Sequence, residues 1–169
     1  MIVNGLALLD AAPIKNMFKT KERNHGVSHG LAEAGYDIRL KQEVTFIPNS
    51  IAGRPRILVL NESKLERSYG RFTKASSMEE FQVPNDLVGV VHDKSTWARH
   101  GLSVFNTVLE PGWKGFLTLE LVYHGEDYFT LPAGCGIAQV LFSRIELDGS
   151  YTGKYQNQPD AIVEAIMEK

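Results

Sequence analysis

The densest concentration of reactive side chains in the sequence is His92-Asp-Lys-Ser-Thr-Trp-Ala-Arg-His-Gly-Leu102. It follows an apolar run, Leu87 to Val91, and gathers cations, small hydroxyls and a run of backbone N–H groups in one short segment. A polyphosphate cradle needs those groups: ammonium or guanidinium for charge, hydroxyls and amides for direction. If Ser95 to His100 opens a helix, its N-terminal N–H groups add partial positive charge at the same place. The competing reading is a solvated strand-to-helix connection.

The second candidate is a carboxylate in an apolar run. Glu120 sits within Phe116-Leu-Thr-Leu-Glu-Leu-Val122. Strand alternation places it on a face with Thr118 and Phe116, opposite Leu117, Leu119 and Leu121. Such a glutamate either faces solvent or is held in a site, where desolvation raises its pKa and suits it to move protons. Just upstream, Glu110-Pro-Gly-Trp-Lys-Gly115 carries a turn signal at Pro111-Gly112, and Gly115 permits close approach of another backbone.

Several chemistries drop out. His124-Gly-Glu126 followed by Pro132-Ala-Gly-Cys135 faintly echoes the zinc deaminase signature, but that chemistry needs paired cysteines and the chain has only Cys135. The bland reading is a turn at His124-Gly125 and a small buried thiol at Cys135. No G-x-S-x-G elbow, no P-loop and no G-x-G-x-x-G occurs.

The elements that must position these residues are mostly strands. Tyr36–Leu40, Val44–Ile47, Arg56–Leu60, Phe81–Val83, Leu87–Val91, Leu102–Phe105, Gly115–Tyr123, Tyr128–Leu131 and Ile137–Ile145 are β-rich and punctuated by Gly and Pro. That spacing predicts an all-β sandwich or barrel. Residues 4–18 suit a short helix broken near Pro13. Lys19 to Ala32 is polar and basic and reads as a loop. Ser63 to Ser77 reads as a long loop or a hairpin with an exposed face. Ala161–Lys169 reads as a short terminal helix, because Ile162, Val163 and Ile166 fall near a helical period.

The bulk numbers bound the partners. At 169 residues the chain makes one domain. Its 18 Lys and Arg against 20 Asp and Glu give a net charge of −2, which offers no global field for nucleic acid. No apolar run approaches the roughly 18–20 residues that span a bilayer. Met1 to Asp10 lacks a basic n-region, so we read it as the start of the fold and not as a signal peptide. A lone cysteine fits a cytoplasmic setting.

Taken in order, six segments resemble one family: Asp93–Leu102, Leu109–Gly115, Thr118–Leu121, Leu131–Gly134, Gly136–Phe142 and Gly153-Lys-Tyr-Gln-Asn-Gln158. They resemble the dCTP deaminases of the dUTPase-like superfamily, and Ala34-Gly-Tyr-Asp-Ile-Arg39 looks like that superfamily's first motif. The resemblance spans residues 34–158; residues 1–33 match poorly. It implies homotrimers of distorted β-barrel or jelly-roll-like subunits, with a short N-terminal helix and loop (1–33), a β core (34–146), a C-terminal lid (147–169) and active sites between subunits. It implies a nucleotide ligand, dCTP or dUTP, carrying Mg²⁺ through its triphosphate, with no zinc, no nucleic acid and no membrane.

The resemblance also assigns roles. Ser95 and Arg99 match the phosphate and active-site segment, with Thr96 beside them. Lys94 stands where many members carry Arg, keeping the charge but losing the bidentate fork. Glu120 matches the catalytic glutamate, which would take a proton from water attacking C4 of cytosine. Glu110 stands where an Asp usually meets the deoxyribose, and Gln139 matches a strand glutamine. Tyr151, Tyr155, Lys154 and Gln158 fall in the closing segment, Lys154 toward phosphate. Two activities follow as expectations: deamination of dCTP to dUTP and ammonia, or dUTP pyrophosphatase activity, alone or joined to deamination. The second would need Asp37 or Glu110 to activate water, and a stretch from Ser103 to Leu109 shorter than in monofunctional deaminases favours it somewhat.

Overall fold

Where apolar and polar residues alternate between Gly and Pro breaks, the chain forms strands, as the computed structural model shows for residues 1–50 and 53–167. A two-residue strand, β1 (Ile2–Val3), leads into helix α1 (Gly5–Ala11). The helix ends because Ala12 turns left-handed, at φ 44°, and Pro13 cannot continue the ladder. Next come β2 (Lys21–Asn24), β3 (Val27–Leu31), β4 (Tyr36–Arg39), β5 (Glu43–Ile47), β6 (Arg56–Asn61) and β7 (Lys64–Tyr69). The rest is β8 (Phe72–Gln82), β9 (Leu87–Asp93), α2 (Ser95–Arg99), β10 (Leu102–Val104), β11 (Val108–Leu109), β12 (Lys114–Tyr123), β13 (Phe129–Leu131) and β14 (Gly136–Arg144).

Three antiparallel sheets result. The largest has seven strands in the order β11-β9-β14-β4-β3-β2, with β1 added to the end of β14. The others run β10-β12-β8 and β13-β5-β6-β7. They do not close into one barrel but share one core, in a distorted jelly-roll arrangement. Ile38, Val91, Val140 and Phe142 of the first sheet, Leu119 and Leu121 of the second, and Val44, Phe46 and Ile57 of the third belong to that core. Each large side chain fully buried there contributes about 1.5–3 kcal/mol.

Two expectations need correction and one strand is added. Lys19 to Ala32 is not a loop: it holds the β2–β3 hairpin, closed at His25-Gly26, both at positive φ. All of β2 is exposed, so it carries no apolar alternation to betray it. Val108–Leu109 forms a further short strand against β9. The described part of Ala161–Lys169 is extended, and residues 168–169 lie outside the described residues. Two of its N–H groups are taken by side chains of the neighbouring cleft instead of by a helical ladder: Val163 donates to Thr118 Oγ1 and Ile166 to the Tyr155 hydroxyl, each at 3.0 Å.

Two buried polar clusters tie the strands together, the first across two sheets and the second within the large one. In the first, Arg39 of β4 meets Glu79 of β8, with both its backbone N–H and its Nε 2.8 Å from the carboxylate. The second centres on Asp37 of β4. Its carboxylate accepts from Lys94 Nζ at 2.5 Å, from Ser28 Oγ at 3.0 Å and from Gln139 Nε2 at 3.2 Å. Lys94 also reaches Ser28 Oγ at 3.1 Å. Removing one member of a buried pair strands the other charge. We expect Asp37→Ala to cost about 3–5 kcal/mol of stability in urea titration. The double variant Asp37→Ala/Lys94→Met should lose clearly less than the two single losses added together.

Candidate active site

The residues singled out above fall into two places. A cleft of about 390 Å³ opens between the β12–β8 ladder, the Thr107–Glu110 segment and the C-terminal segment. That size is within the range of small-molecule sites. Glu120, Glu110, Tyr151, Tyr155 and Gln158 all line it, with Thr118, Leu117, Trp113 and Lys74.

The expected alternation on β12 needs one correction. A bulge between Phe116 and Thr118 shifts the register against β8. Thr118 and Glu120 keep a common side in the cleft, but Leu117 joins them, while Phe116 faces a separate hollow beside Arg39 and Glu79. Glu120 is half-buried. Burial pushes its carboxyl above the usual carboxylate range, while its own backbone N–H and Lys74 pull the other way.

The C-terminal segment is fastened to the cleft by turn chemistry that the sequence announces. Trp113 N–H closes the Glu110–Trp113 turn onto Glu110 O at 3.0 Å, and Gly112 takes the left-handed position at φ 76°. Trp113 Nε1 then donates to Tyr155 O at 2.7 Å. Gln156 Nε2 donates to Gly112 O and Tyr151 O, both at 2.9 Å. Gly115 bridges Gln158, and a Cβ on Gly115 would lie 2.4 Å from Gln158 N, so the close approach foreseen at this glycine is made by the tail. Gln158 Oε1 is buried without a hydrogen-bond partner among the described residues, an acceptor left for a donor in the cleft.

The second place is α2. Lys94 turns inward to Asp37, and Gln139 joins the same carboxylate, so both lie away from the cleft. Ser95, Thr96 and Arg99 are exposed on the helix. Trp97 points inward, its Nε1 bonded to Gly136 O at 2.6 Å. One chain therefore does not bring Ser95 and Arg99 to Glu120. Lys154 lies beside the cleft, its ammonium 2.5 Å from Ile166 O and over the Tyr155 ring at 5.5 Å.

The residues of the faint metal signature do not converge. His124 Nε2 pairs with Ser103 Oγ at 3.0 Å, and Glu126 with Arg71 at 2.7 Å. Cys135 is fully buried, which pushes its thiol up to about 12. Among the described residues no group of three or more His, Cys, Asp and Glu is placed to hold a metal ion. Sequence reasoning did not find Lys74 or Glu164, which meet at the cleft mouth. Their partnership depends on the β8–β12 register and on the path of the tail, neither of which leaves a local signal.

Comparison with solved structures defines the class of fold. A dCTP deaminase from Agrobacterium tumefaciens superposes with a TM-score of 0.57 over 86% of this chain and 49% of that one, at 17% identity. The dUTPase of Staphylococcus bacteriophage 80alpha gives 0.52 over 83% of this chain and 94% of its own, at 16% identity. The fold is dUTPase-like. Sequence takes the assignment further: the family model described as dCTP deaminase-like matches residues 8–145, and the chain belongs to that family. A dCTP deaminase of Acidobacterium capsulatum is 32% identical over 86% of this chain and 87% of its own length. One of Chlamydia abortus is 34% identical over 78% of this chain and 76% of its own.

The raised Glu120 carboxyl carries a stability consequence. A folded-state pKa above the unfolded value gives stability that is fully present below the unfolded pKa and lost as pH rises through the folded one. Glu120→Gln removes this penalty. We expect the variant to melt above wild type at neutral pH, with the difference closing on acidification below the ordinary glutamate range; melting curves across pH measure it.

Proposed function

We propose that the protein catalyses hydrolytic deamination of dCTP to dUTP and ammonia, and the observation that carries this reading is Glu120, a half-buried carboxylate raised by desolvation in a cleft of nucleoside size. Membership of the dCTP deaminase-like family supports it. Glu120 accepts a proton from the water whose oxygen bonds to C4 of cytosine and passes it to N3. Glu120 then takes the proton of the new C4 hydroxyl and gives it to the amino group, and collapse of the tetrahedral carbon to C4=O breaks the C4–N bond and releases ammonia, with the first proton kept on N3. Glu110 meets the deoxyribose, and Tyr151, Tyr155 and Gln158 form the closing wall. The substrate is the Mg²⁺ complex of the triphosphate, so the ion arrives with the nucleotide.

The phosphates fall to Ser95, Thr96 and Arg99 of a neighbouring subunit in a homotrimer. Two facts support an inter-subunit site. These side chains are presented outward on α2, away from their own chain's cleft. The rim of that cleft also leaves apolar groups half-exposed, with Phe72 at 47% and Val108 at 51%, surface that a neighbouring subunit would cover. Lys94 has a different part: held by Asp37, it sets the attitude of α2 and does not serve as a free phosphate ligand. Of the two carboxylates suited to attack on phosphorus, Asp37 is sequestered by Lys94 outside the cleft, which leaves Glu110 for any accompanying pyrophosphatase activity. A cytoplasmic enzyme of nucleotide metabolism fits these properties, and no helix among the described residues is long and apolar enough to cross a membrane.

Incubation with Mg²⁺ and dCTP should yield dUTP and ammonia without diphosphate. Formation of dUMP from dCTP would instead mark a bifunctional enzyme, and no product from either dCTP or dUTP would sink the reading. Glu120→Gln should lose deamination by about a hundredfold or more while still binding nucleotide; retained turnover would remove the role assigned to it. Subunit sharing has its own test. Glu120→Gln and Arg99→Ala should each be inactive alone, yet a mixture co-expressed or co-refolded should regain activity, because mixed trimers contain sites built from two intact halves. Failure of complementation in mixed trimers would place the whole site within one chain.

A further inference from the structure

Glu120 shares its cleft with one cation. Lys74 of β8 is the residue directly opposite Glu120 across the β12–β8 ladder. In an antiparallel pair that position brings the two Cβ atoms to about 4.5–5.5 Å. Both side chains line the cleft, and among the described residues lining it Lys74 is the only Lys, Arg or His. The other titratable groups there are Glu110 after β11, Tyr151, Tyr155 and Glu164 of the C-terminal segment. None of these titratable groups favours an ionised Glu120; besides its own backbone N–H, Lys74 does.

Lys74 also has a second carboxylate. Its ammonium ion-pairs with Glu164, whose side chain is 80% exposed while that of Lys74 is 24% exposed. The segment bearing Glu164 is pinned next to Glu120: Val163 N–H donates to Thr118 Oγ1 on the same strand. One ammonium between two carboxylates gives each less than it would give either alone, and the exposed partner sits on the tail while Glu120 sits on the sheet.

We propose that Lys74 is a positioning residue for Glu120 and that Glu164 regulates it, drawing the ammonium toward the tail when the tail is docked and leaving it to Glu120 when the tail moves. The proposal rests on the reading of Glu120 as the base that accepts the water proton. The device couples lid position to the readiness of the base, using charges that no local motif announces.

The test is the pH dependence of kcat and kcat/KM for dCTP with Mg²⁺, on the full chain, for wild type, Lys74→Met, Lys74→Arg and Glu164→Gln. Lys74→Met should move the acid limb to higher pH, so that the ratio of acid to alkaline activity falls several-fold. Lys74→Arg keeps a cation opposite Glu120 and should hold the limb near wild type. Glu164→Gln frees Lys74 for Glu120 and should move the limb the other way, to lower pH. A merely structural role for Lys74 would reduce activity at every pH without moving the limb. Limbs that coincide in Lys74→Met and Glu164→Gln, or that move in the same direction, overturn the proposal. If Lys74→Met does not fold, Glu164→Gln decides alone, and an unmoved limb overturns it. Turnover retained by Glu120→Gln would instead remove the base reading itself, so the two failures are distinguishable.

Discussion

The carboxylate of Asp37 is the constraint on which the arrangement depends. A buried ion must find partners, and Asp37 takes them from three directions: Ser28 on β3, Gln139 on β14 and Lys94 at the end of β9. That demand joins neighbouring strands of the large sheet side to side. It also pulls Lys94 inward at the residue that opens α2. With Lys94 turned in and Trp97 anchored on Gly136 O, the short helix can present Ser95, Thr96 and Arg99 only outward. One buried charge thereby decides that the helix offers its hydroxyls and guanidinium to something other than its own cleft.

The cleft depends on a different economy of contact. β12 supplies Thr118 and Glu120, but its open side would be solvent without the C-terminal segment. Gly115 lets that segment reach the strand backbone, Trp113 donates to it, and Gln156 locks it to the Glu110–Trp113 turn. The tail is therefore what desolvates Glu120 on one side, and the sheet does so on the other. With a net charge of only −2, the protein has no long-range field to gather a polyanion. On the proposed reading, the attraction comes from local cations, Arg99 on α2 and Lys154 in the tail.

Much of this was legible in the residues, for physical reasons that also mark where reading stops. Leu87–Val91 and Gly136–Arg144 are strands because their apolar side chains must be buried, and burial leaves an alternation that any reader can follow. Glu120 stood out because a carboxylate inside such a run needs an explanation. β2 was missed because an entirely exposed strand needs no apolar face; only the His25-Gly26 turn betrays it. The tail looked helical because Ile162, Val163 and Ile166 repeat at helical spacing, yet their backbone donors found better partners in Thr118 and Tyr155. The resemblance put Lys94 toward phosphate, and its pairing with Asp37 could not be foreseen because residue type does not tell which way a side chain turns. The resemblance to the dCTP deaminases supplied the roles that spacing alone left open.

The position of Glu120 sets two requirements against each other. A general base must be desolvated enough to bind a proton firmly, yet ionised often enough to accept one. Burial by the tail pushes the carboxyl up, and a fixed cation opposite would hold it down. Were Lys74 committed to Glu120, the base would stay ionised but weak; were it absent, the carboxyl would hold its proton at neutral pH more of the time. A cation shared with an exposed carboxylate on the C-terminal segment lies between these two requirements. With the tail docked, one side of the cleft is shielded from water and electrostatic interactions inside it strengthen, while the ammonium pairs with Glu164. On the proposed reading of Glu120 as the base, that pairing raises its basicity where the water proton is taken.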